Sequence, residues 1–380
     1  MKRYNQLDQK KIIIFSANTS WYLKNFREST IKRFISMGFT VFCISPKDSA
    51  SDDLIELGCT FINLKINNKG LNPVEDLKLV YTIYQLYKSI KPDAVFNFTI
   101  KNNIYGSYAS AFTGTKVYNH ITGLGTAIIH GGLLSIFVKI LYASSQLFAT
   151  KIFCQNLDDY HFFTKNCLAP KSKLQIIPGS GINLNKFSNS SKELESLNEN
   201  DDHFTFLYAG RILKDKGLFE LVHAIDRVNS DGIKCNLKIY GFLDSQNVSA
   251  ITKPDVLKWN KIPGVQWCGE SKDIIKIIKK IDCVVLPSYR EGMPRALLEA
   301  ASLSKPIIAT NVPGCKEIVK DGVNGFLCQS KSISSLEESI LKMINLSYKE
   351  RKKMGTAGRK IVEESFDEEL VIQAAVDAIS

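Results

Sequence analysis

The chain has 380 residues, 44% of them hydrophobic and 23% charged, the composition of an ordinary globular protein long enough for two domains. That excludes a disordered tail, a fibrous repeat and a disulfide-dense miniprotein. A formal net charge of +11 points to a polyanion, a phosphate-bearing substrate or an anionic membrane surface as partner without choosing among them.

Short β-branched or aromatic runs at 12–15, 40–44, 94–98, 116–119, 151–154 and 175–177 alternate with longer helix-like stretches. This alternation predicts parallel α/β units. After the polar stretch 188–202 the pattern restarts at 204–209, 236–240, 265–267, 283–286 and 306–309. Two Rossmann-like domains are therefore expected, 1–187 and 203–365, joined by a linker at 188–202. They are expected to face each other across a cleft that holds the site, because open α/β sheets bind ligands at the carboxyl ends of their strands. The apolar run 133–148 reads either as a buried helix or as a face resting on a membrane, being too short to span one.

Nine cysteines show neither a C-x-x-C pair nor zinc-site spacing, which suits free thiols in a reducing cytoplasm. The first apolar stretch is only strand-length, too short for a signal-peptide core, so the protein is expected to stay inside the cell.

Several strand ends carry polar residues suited to binding. The loop 16–27 offers Ser16, Asn18 and Arg27. Either its small residues let a phosphate approach, or Arg27 reaches a phosphate of a second substrate. Lys101 and Asn103 open a helix after a strand and are candidates for ligand contact. His120 ends a strand and is followed by glycines. Further on, Gly210 closes a strand before Arg211 and Lys216, two cations placed to clamp a diphosphate beside a helix start; the alternative is a solvated basic loop. Tyr240 and Gly241 end the next strand. In 283–301 (CVVLPSYREGMPRALLEAA) a buried strand runs into Arg290, Glu291, Gly292 and Met293, with Pro294 suited to the first helical position and Arg295 after it. Glu291 in the turn and Glu299 in the helix either grip two ends of one elongated ligand or serve as a cap and a solvated side chain.

The string with Glu291 and Glu299 resembles the Glu-x7-Glu motif of the retaining family 4 glycosyltransferases, and G-R-x4-K-G at 210–217 resembles the same family's diphosphate-binding pattern. The resemblance implies a GT-B fold, with Glu291 by the donor sugar, Glu299 on the nucleotide ribose, Arg211 and Lys216 on the diphosphate, and His120 near the donor sugar and phosphate. Gly210, Tyr240, Gly241, Arg290, Gly292, Met293, Pro294 and Arg295 complete the implied donor site. Ser16, Asn18, Arg27, Lys101, Asn103 and His120 form the candidate acceptor side. Glu317, Asn324, Gln155, Asn156 and the turn 178–181 are read as structural. The last helix, 366–380, is expected to cross back to the first domain.

Y-N-H-I-T-G-L-G together with S-Y-R-E-G-M-P-R most resembles the subgroup that builds capsule, O-antigen and lipid-linked glycans. That implies a UDP-sugar donor, a hexose or N-acetylhexosamine, and a polyprenyl-diphosphate-linked saccharide acceptor, with no metal and no cofactor, since no D-x-D sequence occurs. A UDP-N-acetylhexosamine 2-epimerase of the same architecture and a basic polyanion-binding protein are the alternatives, although nucleic-acid binding is not expected. Residues 1–187 hold 22 Lys plus Arg against 11 Asp plus Glu, while 188–380 hold 27 of each. The excess predicts peripheral attachment of the first domain to an anionic cytoplasmic leaflet.

Overall fold

The computed structural model describes residues 11–67, 72–124, 128, 131–188, 203–244, 247, 249–271 and 273–380. The chain divides into two compact units, Met1–Ser180 with Glu369–Ser380, and Gly181–Glu368.

The first unit runs β1 (Ile12–Ser16), α1 (Ser20–Ser36), β2 (Thr40–Ser45), α2 (Ser51–Glu56), β3 (Thr60–Asn63), α3 (Pro73–Ile90), β4 (Ala94–Phe98), α4 (Ile100–Thr113), β5 (Val117–Ile121), α5 (Gly132–Ser145), β6 (Lys151–Cys154), α6 (Leu157–Lys165) and β7 (Leu174–Ile176). Its seven strands are parallel in the order β3-β2-β1-β4-β5-β6-β7. Strand alternation divides the core: Ile13 and Phe15 pack with Leu23, Ile31 and Phe34 of α1, whereas Ile14 packs with the helices of the other face, among them Leu79 of α3 and Tyr142 of α5. Helix starts follow capping chemistry: Thr19 accepts from the Tyr22 amide, and Asn72 caps α3 ahead of Pro73.

The second unit runs β8 (Phe204–Ala209), α7 (Leu218–Ser230), β9 (Cys235–Tyr240), α8 (Lys253–Trp259), β10 (Val265–Gly269), α9 (Ile274–Lys279), β11 (Cys283–Leu286), α10 (Arg295–Ser302), β12 (Ile307–Thr310), α11 (Cys315–Ile318), β13 (Gly325–Cys328), α12 (Ile333–Asn345) and α13 (Tyr348–Ser365). Its six-stranded parallel sheet has the order β10-β9-β8-β11-β12-β13.

The units divide at Ser180/Gly181, ahead of the expected linker at 188–202, whose residues 189–202 lie outside the described ones. The cause is packing: Ile182 and Phe187 are buried in the second core, and Arg359 donates to the Phe187 carbonyl at 2.6 Å. Gly181 (φ +65°) is required where the chain passes Glu368, whose Cα would lie 2.4 Å from an added Cβ. Helix α14 (Glu368–Ile379) lies almost wholly in the first unit, where Tyr118 donates to the Ala378 carbonyl at 2.6 Å and Arg33 pairs with Glu369.

Helix α5 has an unusual polarity. Ser135 and Ser145 are buried beside Val138 and Tyr142, while Leu133, Leu134, Ile136, Phe137 and Ile140 are exposed, followed by exposed Leu147 and Phe148. Of the two readings of 133–148, burial holds only for the narrow serine-lined face. Among the described residues no helix is long and apolar enough to cross a membrane.

Candidate active site

In the second unit the loops after β8 and β11 meet because glycines allow it. A Cβ on Gly217 (φ +71°) would lie 2.1 Å from the Pro287 carbonyl oxygen, and one on Gly241 would lie 1.7 Å from the Gly210 carbonyl oxygen. The Tyr289 amide donates to the Asp215 carbonyl at 2.9 Å, tying the two loops together.

This closure brings Lys216 Nζ to 2.5 Å from Glu291 Oε1, which also accepts from Ser288 Oγ at 2.7 Å. The Lys216 and Glu291 side chains are only 15% and 12% exposed, so their attraction is weakly screened. Thr310 of β12 donates to the Ser288 carbonyl, and the Glu291 amide donates to the Pro313 carbonyl at 3.3 Å. Arg211 is exposed and makes only a loose pair with Asp244 at 3.7 Å, so its guanidinium remains open to an anion.

Eight positions after Glu291, Glu299 accepts from Arg295 Nε at 3.0 Å. Burial lifts the Glu299 pKa, opposed by the charges of Arg295 and Lys186. Tyr289 donates to Glu220 at 2.6 Å; burial and that carboxylate push its phenol pKa up, and Lys331 lies 4.8 Å over its ring. Gly210, Tyr240 and Gly241 sit at the ends of β8 and β9, and Arg290, Gly292 and Met293 in the turn after β11. Pro294 immediately precedes α10 as its cap and does not occupy the first helical position.

Sequence reasoning missed Ser288, Asp244, Glu220 and Lys331. Ser288 stands two residues before Arg290 in the informative string and was findable there; the other three carry no local signal. Glu317 accepts from the Gly314 amide at 2.7 Å, and buried Asn324 bridges the Lys320 amide and the Ile318 carbonyl, both structural roles. Asn156 caps α6 by accepting from the Asp159 amide.

The first-unit candidates are placed differently from expectation. His120 does not face outward: it is 2% exposed, its ring 4.6 Å from Phe98 and 4.7 Å from Phe153. The glycine at 125 that follows it lies outside the described residues. Asn103 is fully buried and donates to the His120 carbonyl at 2.8 Å, a packing role that removes it from acceptor contact. Ser16 is buried and accepts from Asn102 at 2.8 Å, so its hydroxyl is already engaged. Lys101 is paired with Asp76 at 2.8 Å, both mostly buried. Arg27 is 1% exposed, and Asn18 is half-buried in the β1–α1 loop.

The family model for glycosyl transferases group 1 matches residues 189–361, and the glycosyl transferase 4-like model matches residues 11–156. The chain belongs to the glycosyltransferases. It is 29% identical over 304 residues to the capsular polysaccharide biosynthesis glycosyltransferase CapM of Staphylococcus aureus, covering 78% of each chain. It is 27% identical over 337 residues to the N,N'-diacetylbacillosaminyl-diphospho-undecaprenol alpha-1,3-N-acetylgalactosaminyltransferase of Campylobacter jejuni, covering 86% of this chain and 87% of that one. The solved structure of Anabaena HepE in complex with UDP and glucose matches with a TM-score of 0.79 and 17% identity, over 97% of this glycosyltransferase and 98% of that chain. Its two parallel-sheet Rossmann-like units have the GT-B fold.

Proposed function

We propose that this glycosyltransferase moves a hexose or N-acetylhexosamine from a UDP-sugar to a polyprenyl-diphosphate-linked saccharide during surface-glycan assembly, with retention of anomeric configuration. The observation that carries this reading is the Lys216–Glu291–Ser288 cluster, with Glu299 farther along the same turn and helix. The acceptor class is supported by the Campylobacter relative's undecaprenyl-linked substrate, and UDP by the ligand of the Anabaena structure.

As the bond between sugar and diphosphate breaks, negative charge grows on the departing UDP. Arg211 and Lys216 stabilise that charge as it develops, without a metal ion. Glu291 keeps Lys216 fixed and in turn lies by the sugar, while Glu299 holds the ribose hydroxyls. The departing phosphate oxygen accepts the proton of the incoming hydroxyl, so no side chain is assigned as general base. A donor screen reading UDP release against a panel of polyprenyl-diphosphate saccharides tests this. Transfer that persists in chelator with an unchanged anomer supports it; inverted product or turnover only with added metal removes the corresponding step. Epimerisation of UDP-N-acetylglucosamine without acceptor would replace the transferase reading.

We also assign the exposed face of α5 to an anionic membrane surface on the cytoplasmic side. An inward serine face and an outward leucine, isoleucine and phenylalanine face reverse the usual polarity of a water-facing helix. Between Asp93 and Asp158 the chain carries no acidic residue, whereas Lys101, Lys116, Lys139 and Lys151 fall in that interval. Apolar insertion and electrostatic attraction therefore favour the same surface.

A further inference from the structure

Helix α3 carries two apolar faces. Leu79, Ile83 and Tyr87 point inward and join the core of the first unit. On the outside, Val74, Leu77 and Tyr81 form a second row, with Leu77 71% exposed, and the half-buried Tyr84 continues it. The Tyr84 ring lies 6.3 Å from that of Tyr81 and meets the Phe112 ring of α4 edge-on, also at 6.3 Å. Phe112 is itself 76% exposed, and Lys88 ends the row with Nζ 5.7 Å from the centre of the Tyr84 ring. Among the described residues nothing covers this row, and the inward face alone anchors the helix.

Positions 74, 77, 81, 84 and 88 are separated by three, four, three and four residues, the spacing of a narrow seam between two helices. Exposed Lys78, Thr82, Gln85 and Ser89 border it with polar side chains. Its charges are sorted by end. Glu75 is exposed in the first turn, where it accepts from Asn67 at 3.0 Å, and Lys88 and Lys91 are exposed at the other end. An anionic membrane would repel the Glu75 end, whereas the broad apolar face of α5 lies in an interval without acidic residues. A second α3 running antiparallel matches both ends at once, each acidic end meeting a basic one.

We propose that α3 is the contact through which two copies of this chain associate, as an antiparallel pair about a two-fold axis. In that pairing Tyr81 lies beside Tyr84 of the partner subunit, and Leu77 lies against the methylene stem of Lys88 of the partner subunit. Glu75 then faces the end of the other helix that carries the two lysines, and Phe112 flanks the crossing. Two-fold symmetry makes each of these contacts occur twice and closes the assembly at two copies. The row spans about 21 Å at ~1.5 Å per residue, so the contact is at the small end of specific interfaces, with a Kd of roughly 1–100 μM. Association makes no use of the reaction proposed above, and failure of either leaves the other standing.

The test is sedimentation velocity of the full chain from about 1 to about 200 μM, a range that brackets a weak interface. It uses a Leu133→Ser/Ile136→Ser/Ile140→Ser background, which removes the apolar face of α5 as a competing contact. We expect the sedimentation coefficient to rise with concentration from monomer to dimer. Leu77→Glu with Tyr81→Glu, both at exposed positions, should raise the Kd about 100-fold. Glu75→Lys alone and Lys88→Glu alone should each raise it about 10-fold, and the two together should restore it, because the exchanged ends again match in an antiparallel pair. These charge exchanges keep the test available if Leu77→Glu/Tyr81→Glu fails to fold. A chain that stays monomeric across the range overturns the proposal. So does association that Leu77→Glu/Tyr81→Glu leaves unchanged, or that the paired charge exchange fails to restore. Loss of binding to phosphatidylglycerol vesicles in Leu77→Glu/Tyr81→Glu, with the association state unmoved, gives the row to a membrane and overturns the dimer.

Discussion

In the second unit Lys216 is held against Glu291 and Ser288, and Glu299 against Arg295, so these mostly buried donor-side charges are paired before any substrate arrives. In the first unit Arg27 is at least as deeply buried and, among the described residues, has only a neutral phenol at 3.3 Å, while neither ring nitrogen of buried His120 has a hydrogen-bond partner. Pairing holds the donor-side groups in position at little cost in stability, and a ligand must compete with Glu291 for Lys216. Leaving a cation unpaired costs stability and reserves its binding capacity for a ligand.

The strongest challenge to that contrast is Lys216→Ala, which should lower turnover about 100- to 1000-fold, the loss typical for one group stabilising transition-state charge. Turnover within a few-fold of the parent would mean that Glu291, rather than the cation, is the working member of the pair.

Gly241→Ala comes next. Its Cβ would fall 1.7 Å from the Gly210 carbonyl oxygen, so the two strand ends must part, at a cost of about 2–4 kcal/mol measured by denaturant unfolding. An unchanged unfolding midpoint would show that the loops holding Lys216 are not fixed by this close approach.

Glu299→Gln sharpens the account of pairing, because two effects of opposite sign are expected. Burial raises the folded-state pKa of Glu299, so between its unfolded and folded pKa values the folded state binds more protons and stability rises as pH falls through the folded value. Substitution should therefore slightly stabilise the free protein at neutral pH while weakening UDP binding about 10-fold by calorimetry. Unchanged UDP affinity would remove the ribose assignment.

The smallest effect is expected on chemistry and belongs to the surface. Leu133→Ser with Ile136→Ser and Ile140→Ser should release the protein from anionic liposomes in co-sedimentation, with turnover on detergent-dispersed acceptor changed less than about 2-fold. Retained binding would move the attachment away from α5.

Most strands were legible because fully buried parallel strands read as short β-branched and aromatic runs. The exceptions, β3 and β13, are edge strands: Thr60–Asn63 has no buried residue, and Gly325–Cys328 follows a turn string that masks its start. The second unit's donor candidates were legible because they occupy two short strings at strand ends. Ser288 lay inside one of them, but its role as a partner of Glu291 is not encoded in spacing.

The amino-acid sequence alone determined the two α/β units, the glycosyltransferase motifs and the basic balance of the first half, since these depend on local periodicity, turn chemistry and residue counts. Tertiary structure alone decided which charges far apart along the chain are paired. Lys216 and Glu291 are 75 residues apart and meet only because Gly217 lets one loop settle against Pro287. His120 reads as a strand-end residue open to ligand until Phe98 and Phe153 close over it from neighbouring strands. Helix α5 reads as a strongly apolar run, buried or resting on a membrane, until packing selects its serine face for the interior. Burial is a property of what the rest of the chain brings alongside a residue, so no local pattern could have specified it.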